Sequence, residues 1–355
     1  MEGLKGRVLT VLGPMEPGQL GVTLPHEHLL LDFTGATMGP GYGSSSGGCS
    51  ADELAGLKLE IENLGKIRQF PYGVHENLTI ENVEQTIEEL KLFKGAGGST
   101  IVDVTSIGMR TCPEHLPRIS KESGVNIITG TSYYVDSFVA PDAKLLSVQE
   151  LCDVMVREVS EGVEGTGVRC GVIGEVGVSY PMTDFEKRSL QASAKAQQIT
   201  GAPLIIHPGR DQESPSAILD VLEGAGADLS RTVMSHLDRT VFSEEALLTL
   251  ARRGCYLEYN LFGIETSHYQ YSKEVTMPSD AQRVQWVKKL VEAGFSHKVM
   301  LSHDIHTKHR LVAYGGHGYG HLLENVVPKM KDRGISEDII SSMITDNPQQ
   351  WLTFV

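Results

Sequence analysis

Short apolar runs that close on a polar, ligand-type residue recur along this chain. The first, Gly21-Val22-Thr23-Leu24-Pro25, ends in His26-Glu27-His28. On a strand, side chains two apart share a side, so His26 and His28 project together while Glu27 faces away. Later runs end alike, at Glu175, His207, His236 and Asp304 in turn. Counting the His26 run as the first strand, seven more are predicted at residues 99–104, 126–130, 170–176, 203–207, 231–236, 255–260 and 297–304. Between them the apolar period shifts to that of helices. Ile80, Val83, Ile87 and Leu90 mark one over 79–93, after helix-like sequence from about Asp52. Others follow at 113–123, 148–159, 184–200, 214–224, 244–253 and 280–293, and two helical stretches, 321–333 and 336–345, close the chain.

Eight short, nearly continuous apolar strands alternating with helices fit a parallel sheet covered on its faces, and specifically a (β/α)8 TIM barrel of the α/β class. A strand and turn at residues 7–18 are expected to form a short hairpin capping one end, and the closing helices to follow the last strand. Active sites of such barrels lie at the carboxyl ends of the strands. The ligand-type residues fall there, on strands one, four, five, six and eight. A doubly wound open sheet is the structural alternative, but it does not bring strand one beside strand eight. At 355 residues the chain is read as one barrel domain, residues 1–355. The Gly- and Ser-rich stretch 35–50 is either a disordered insertion or a mobile lid.

Composition narrows the partners. The formal charge of -14 repels phosphate backbones and anionic lipid, so neither nucleic acid nor membrane is expected. The N-terminal residues lack a signal-peptide pattern, and five scattered cysteines without a CxxC favour a reducing compartment, with the cytosol as the expected location. They also argue against a thiolate zinc site.

Each ligand-type residue has an ordinary explanation when taken alone: a core histidine bonded to its neighbours, a turn aspartate. Glu175 is harder to explain away, because an unpaired carboxylate inside an apolar strand is costly to bury, and Arg169 and Lys187 lie outside that strand. The joint pattern is the specific signal. His26, His28, Glu175, His207, His236 and Asp304 together make a site for two divalent metals, most simply zinc. Asp304 is in addition the candidate proton acceptor. Tyr180 and Arg210 follow strands four and five and are candidates to line the pocket. His303 is a candidate support for Asp304, while His306 and His309 read as loop residues. The run 315–321, with four glycines, reads as a flexible loop or a close backbone approach.

These residues carry a resemblance. The chain resembles the phosphotriesterase branch of the amidohydrolase superfamily, and within it the phosphotriesterase-related proteins. The shared marks are Leu24-Pro25-His26-Glu27-His28, Gly174-Glu175-Val176-Gly177, Ile206-His207-Pro208-Gly209, Ser235-His236-Leu237-Asp238-Arg239, Leu301-Ser302-His303-Asp304 and Asp346-Asn347-Pro348. The resemblance implies that His26, His28 and Asp304 hold the more buried metal and His207 and His236 the more exposed one. The fourth-strand residue bridges both. Phosphotriesterases commonly place a carboxylated lysine at the bridge, where this chain has the shorter Glu175. Arg239 stands where their pattern has an acidic residue, which puts efficient phosphotriester cleavage in doubt and sets a cation near the site mouth for an anionic substrate.

What the resemblance implies for activity is an amidase cleaving N-acetyltaurine to acetate and taurine by attack of a metal-bridging hydroxide, with Arg239 facing the sulfonate. Alternatives are a lactonase or phosphoester hydrolase on the same metals, or a barrel that keeps metal for stability and binds without catalysis. The expected partner is a small anionic amide; a homodimer is compatible with the chain.

Overall fold

The computed structural model of the chain describes residues 2–36, 51–267 and 269–355. An antiparallel hairpin, β1 (Val8–Thr10) and β2 (Gly13–Met15), leads to β3 (Thr23–Glu27). Two short strands, β4 (Leu31–Asp32) and β5 (Thr79–Ile80), pair antiparallel outside the main sheet. The sheet itself continues with β6 (Thr100–Asp103), β7 (Asn126–Thr131), β8 (Val172–Gly177), β9 (Leu204–His207), β10 (Thr232–Met234), β11 (Tyr256–Tyr259) and β12 (Val299–Leu301). Its eight strands run β3-β6-β7-β8-β9-β10-β11-β12, each parallel to its neighbour. The ring closes where the Asp304 amide donates to the His26 carbonyl at 3.1 Å and the His26 amide to the Ser302 hydroxyl oxygen at 3.2 Å. This is the expected (β/α)8 barrel, with strand one beside strand eight.

The helices are α1 (Ala51–Ala55), α2 (Leu64–Gln69), α3 (Val83–Gly95), α4 (Leu116–Ser123), α5 (Val148–Ser160), α6 (Asp184–Thr200), α7 (Ser214–Gly224), α8 (Glu244–Ala251) and α9 (Asp280–Glu292). Ser147 with Glu150, Thr183 with Glu186 and Ser279 with Gln282 form reciprocal caps that fix where α5, α6 and α9 begin. The chain ends in α10 (Val327–Asp332), α11 (Glu337–Ser341) and α12 (Asn347–Leu352). Widened turns at Leu322–Val326 and Ser342–Asp346 precede Pro328 and Pro348, prolines that supply no amide to an ordinary helical ladder. The second expected stretch thus runs past residue 345 into α12, an element the sequence reading did not separate. Thr79 and Ile80, expected in a helix, pair as a strand instead. Of the stretch 35–50, residues 37–50 lie outside the described residues. Among the described residues no helix is long and apolar enough to cross a membrane.

The barrel is plugged at its amino-terminal end. Val8, Leu20, Trp351 and Leu352 join inward side chains of the strands, such as Val102, Ile205 and Val233, in one buried cluster. Trp351 Nε1 donates to the Leu204 carbonyl at the start of β9. With that end filled by packed side chains, the open end is the one where the ligand-type residues stand.

Candidate metal centre

All six expected ligands are buried and meet at the carboxyl end of the barrel. Two of them, His236 and Asp304, sit just past their strands with φ of 55°, in the left-handed region that non-glycine residues seldom occupy. Such a backbone costs on the order of 1–3 kcal/mol per residue and persists where the surroundings over-determine it. Glu175 reaches the same point by another device. Register between β8 and β9 shifts between Ile173 and Val176, and the Glu175 amide donates to Val104 instead of continuing the ladder. The shift depends on Gly174, whose φ is 138° and where a Cβ would lie 2.3 Å from the Ile205 carbonyl oxygen. A local bulge thereby carries a short side chain to the centre of the barrel.

The donor atoms fall into two sets that share Glu175. His28 Nε2 lies 3.1 Å and His26 Nε2 3.9 Å from Asp304 Oδ1, and His28 Nε2 is 3.6 Å from Glu175 Oε1. On the other side His207 Nδ1 is 2.8 Å from His236 Nε2 and 2.9 Å from Glu175 Oε2, with His236 Nε2 3.5 Å from that oxygen. His26 Nε2 stands between the sets, 3.4 Å from Glu175 Oε2.

The other ring nitrogen of three imidazoles is committed to an acceptor. His26 Nδ1 donates to Glu258 Oε2 at 3.0 Å, and His236 Nδ1 to Asn260 Oδ1 at 3.0 Å. His28 Nδ1 lies 2.8 Å from the Thr105 hydroxyl, which gives its own hydrogen to Asp103 and so accepts from the ring. Neutral rings held this way turn the Nε2 lone pair inward. For His26 and His28 those lone pairs then face carboxylate oxygens, an arrangement that is repulsive until a proton or a cation enters between them. His26 Nε2 is buried and makes no hydrogen bond. Nitrogen and carboxylate donors, converging and anchored from behind, are the chemistry of a divalent metal site.

The two pairs differ in proton affinity. Burial disfavours the charged form of His26, but the Glu258 and Glu175 carboxylates more than offset it and raise its pKa well above 6.5. His28 is raised likewise against burial, chiefly by Asp304. Burial, helped by the Arg239 and Arg210 cations, lowers His207 to about 4 despite Glu175. His236 falls well below 6.5 through burial, Arg239 and His207. The carboxyls of Glu175 and Asp304 are held well below their usual range, burial notwithstanding, by the imidazoles around them.

Sequence reasoning missed most of what surrounds this cluster. Glu27, which faces away from the six converging side chains, accepts from Ser302 Oγ, from the His303 amide and ring, and from the Ile305 amide. It fixes the loop that presents Asp304, and His303 supports Asp304 only through it. His306, read as a loop residue, lines the cleft, with Nδ1 3.1 Å from Asp304 Oδ1 and Nε2 2.9 Å from the Tyr72 hydroxyl. Glu258 and Asn260 continue the β11 run, whose polar letters inside an apolar stretch were the available signal. Close approach, rather than a plain flexible loop, describes the glycine-rich run: a Cβ on Gly316 would lie 2.1 Å from the Arg310 backbone.

Two expectations about the pocket need correction. Tyr180 is 44 % exposed and lies outside the cleft, because the chain turns away after Ser179 toward the cap of α6. Tyr134 supplies the aromatic wall instead, its ring 4.9 Å from that of His207. Arg239 is not at the mouth. It is 2 % exposed and built into the wall, where Nη2 donates to the Pro208 carbonyl at 3.0 Å and lies 3.1 Å from His207 Nε2. Arg210 does line the cleft, together with Phe33, Tyr72, Tyr269 and Tyr271.

The chain is similar to known proteins over nearly its whole length. A model described as "Phosphotriesterase family" matches residues 6–352. The "N-acetyltaurine hydrolase" of Danio rerio is 46% identical over 355 residues, covering 100% of both chains. The "Phosphotriesterase-related protein" of Nematostella vectensis is 48% identical over 98% of this chain and 99% of its own. Among solved structures, a resiniferatoxin-binding protein from Rhodobacter sphaeroides superposes with a TM-score of 0.92 at 34% identity, covering 98% of this chain and 95% of that one.

Proposed function

The chain belongs to the phosphotriesterase family, a family of metal-dependent hydrolases, and from that premise we propose that it hydrolyses N-acetyltaurine to acetate and taurine. The observation that carries the reading is the convergence of six buried donors on two adjoining points, with the outer nitrogens of His26, His28 and His236 already tied to acceptors. In this reading His26, His28 and Asp304 would hold one divalent ion and His207 and His236 a second, with Glu175 within reach of both groups. Zinc suits the nitrogen and carboxylate set. Metal held there supplies Lewis-acid polarisation of the amide carbonyl and lowers the pKa of water.

The remaining steps belong to the chain's own groups. Asp304 sits between His28 and His306, 3.1 Å from each, and is placed to take a proton from the attacking water and return it to the departing amine. A taurine leaving group carries a sulfonate, and the same cleft holds Arg210 and Arg239. Among the described residues neither forms an ion pair with a carboxylate, so the cleft presents two cations without fixed counter-ions. Phe33, Tyr72, Tyr134 and Tyr271 wall off water around the reacting amide. The described cysteines, Cys112, Cys152, Cys170 and Cys255, are all unpaired, which suits a reducing compartment such as the cytosol.

The test is a panel of N-acetyltaurine, an aliphatic lactone and a phosphotriester, assayed with zinc-loaded protein. Release of acetate and taurine in equal amounts, with the amide the preferred substrate, is expected. A preference for the lactone or the phosphotriester would overturn the amidase reading, and no turnover of any of them would favour a binding protein.

A further inference from the structure

Two arginines border the cleft, and their hydrogen bonds differ. Arg239 has both terminal nitrogens engaged: Nη1 donates to Thr240 Oγ1 at 3.2 Å and Nη2 to the Pro208 carbonyl at 3.0 Å. It braces the loop that carries His207. Arg210 follows His207 by three residues and donates only through Nε, to the Tyr269 hydroxyl at 2.8 Å. Its guanidinium carbon lies over the aromatic loop, 4.3 Å from the Tyr271 ring centre and 5.6 Å from that of Tyr269. Among the described residues Nη1 and Nη2 have no hydrogen-bond partner, and no carboxylate lies within ion-pairing distance.

We propose that Arg210, and not Arg239, reads the anionic end of the substrate. The assignment rests on the amidase reading given above and specifies which group recognises the leaving amine. A guanidinium presents its two terminal nitrogens as a planar fork that matches two oxygens of a sulfonate or carboxylate. Here the fork is held before the substrate arrives, by its place over Tyr271 and by the Nε bond to Tyr269, so that little side-chain freedom is lost on binding. Position agrees. Arg210 lines the cleft that contains Glu175, His207 and Asp304, and also borders an adjoining cavity of about 330 Å³ lined by Asp136, Ser179 and Thr183. An amide drawn in through that side meets Arg210 with its anion while its carbonyl points at the six donors. Arg239, fully buried and committed to Pro208 and Thr240, is a positioning residue for His207.

The experiment compares N-acetyltaurine with N-acetylethanolamine, in which a hydroxyl replaces the sulfonate, for wild type, Arg210→Met, Arg210→Lys and Arg239→Lys, each with its metal content measured. Arg210→Met is expected to lower kcat/KM for N-acetyltaurine about ten- to a hundredfold, mainly through KM, and to shrink the preference over the neutral amide by a similar factor. Arg210→Lys should recover part of that preference as a point charge. Arg239→Lys should lower both substrates alike. Equal losses on the two substrates in Arg210→Met, or a preference abolished by Arg239→Lys and kept in Arg210→Met, would overturn the assignment. A second arm measures calorimetric binding of N-(methylsulfonyl)taurine, which has no carbonyl to hydrolyse. Wild type that binds it through Arg210 yet leaves N-acetyltaurine intact would refute the amidase reading alone. An affinity unchanged by Arg210→Met would refute the Arg210 assignment alone.

Discussion

Two pairs of histidines face each other across Glu175, the same chemical group held in opposite ways. His26 and His28 are surrounded by carboxylates, Glu258 and Glu175 for the first and Asp304 for the second, and their pKa values are raised. His207 and His236 are buried beside Arg239, and theirs are lowered. Strand position explains the contrast. The first pair sits where β3 closes against β12 and within reach of β11, whose Glu258 carboxylate it meets from behind. The second pair stands on β9 and beyond β10, where the loops bring arginines. In the proposed two-metal reading, one half of the site is rich in anionic donors and the other is made of neutral rings, with Glu175 common to both. The first half is thus expected to hold its ion the more tightly.

The strongest way to break the comparison is to remove what the halves share. Glu175→Gln keeps the size of the side chain but not its anionic oxygens, so both ions should be lost and turnover should fall to background. Elemental analysis of protein purified without chelator checks this, and retention of metal at both points would show that the bridge lies elsewhere. Asp304→Asn strikes only one half. It should cut kcat by about 10²–10⁴-fold, the usual worth of a positioned proton acceptor, and should leave the His207 and His236 side loaded.

The outer acceptors sharpen the contrast further. Glu258→Gln should weaken the His26 and His28 half, and Asn260→Ala the other, each by about 10–100-fold in metal affinity. Competition with a chelator, read as two separate release steps, distinguishes them; a variant that moves both steps equally would mean that the halves are not independent. The smallest effect is a proton count. Groups whose pKa is raised keep their proton to higher pH, so without metal His26 and His28 are protonated in part near neutrality, whereas His207, at about 4, is not. Filling the first half should therefore release protons at pH 7, and its affinity should drop as pH falls. Filling the second should release almost none. Calorimetry in buffers of different ionisation enthalpy measures both, and equal release from the two halves would contradict the asymmetry.

The parts of this site that could be read from sequence are those that a strand presents locally. An apolar run closing on His26, His207 or Asp304 states both the element and the residue at its functional end, and β-strand parity gives the pairing of His26 with His28. The same run ending in Glu175 carried the burial argument for a bridge. What could not be read depends on contacts across the closed barrel. Glu258 meets His26 over 232 residues of chain, and Glu27 reaches Ser302 over 275; neither distance leaves a local pattern. Loop residues were read least well. Tyr180 and Arg239 were placed by counting along the chain from a ligand, yet one turns outward and the other is absorbed into the wall. His306 failed in the other direction, because a histidine two residues beyond a ligand looks like any loop residue until the loop folds back over Asp304.

The central claim is that six side chains hold two metal ions and that both are needed to cleave an amide. The most direct test is to strip the protein with chelator and titrate zinc back while following acetate release from N-acetyltaurine. Activity should stay near background through roughly the first equivalent, rise with the second and level off at about two per chain. Full activity at one equivalent, or hydrolysis by the stripped protein, would contradict the account.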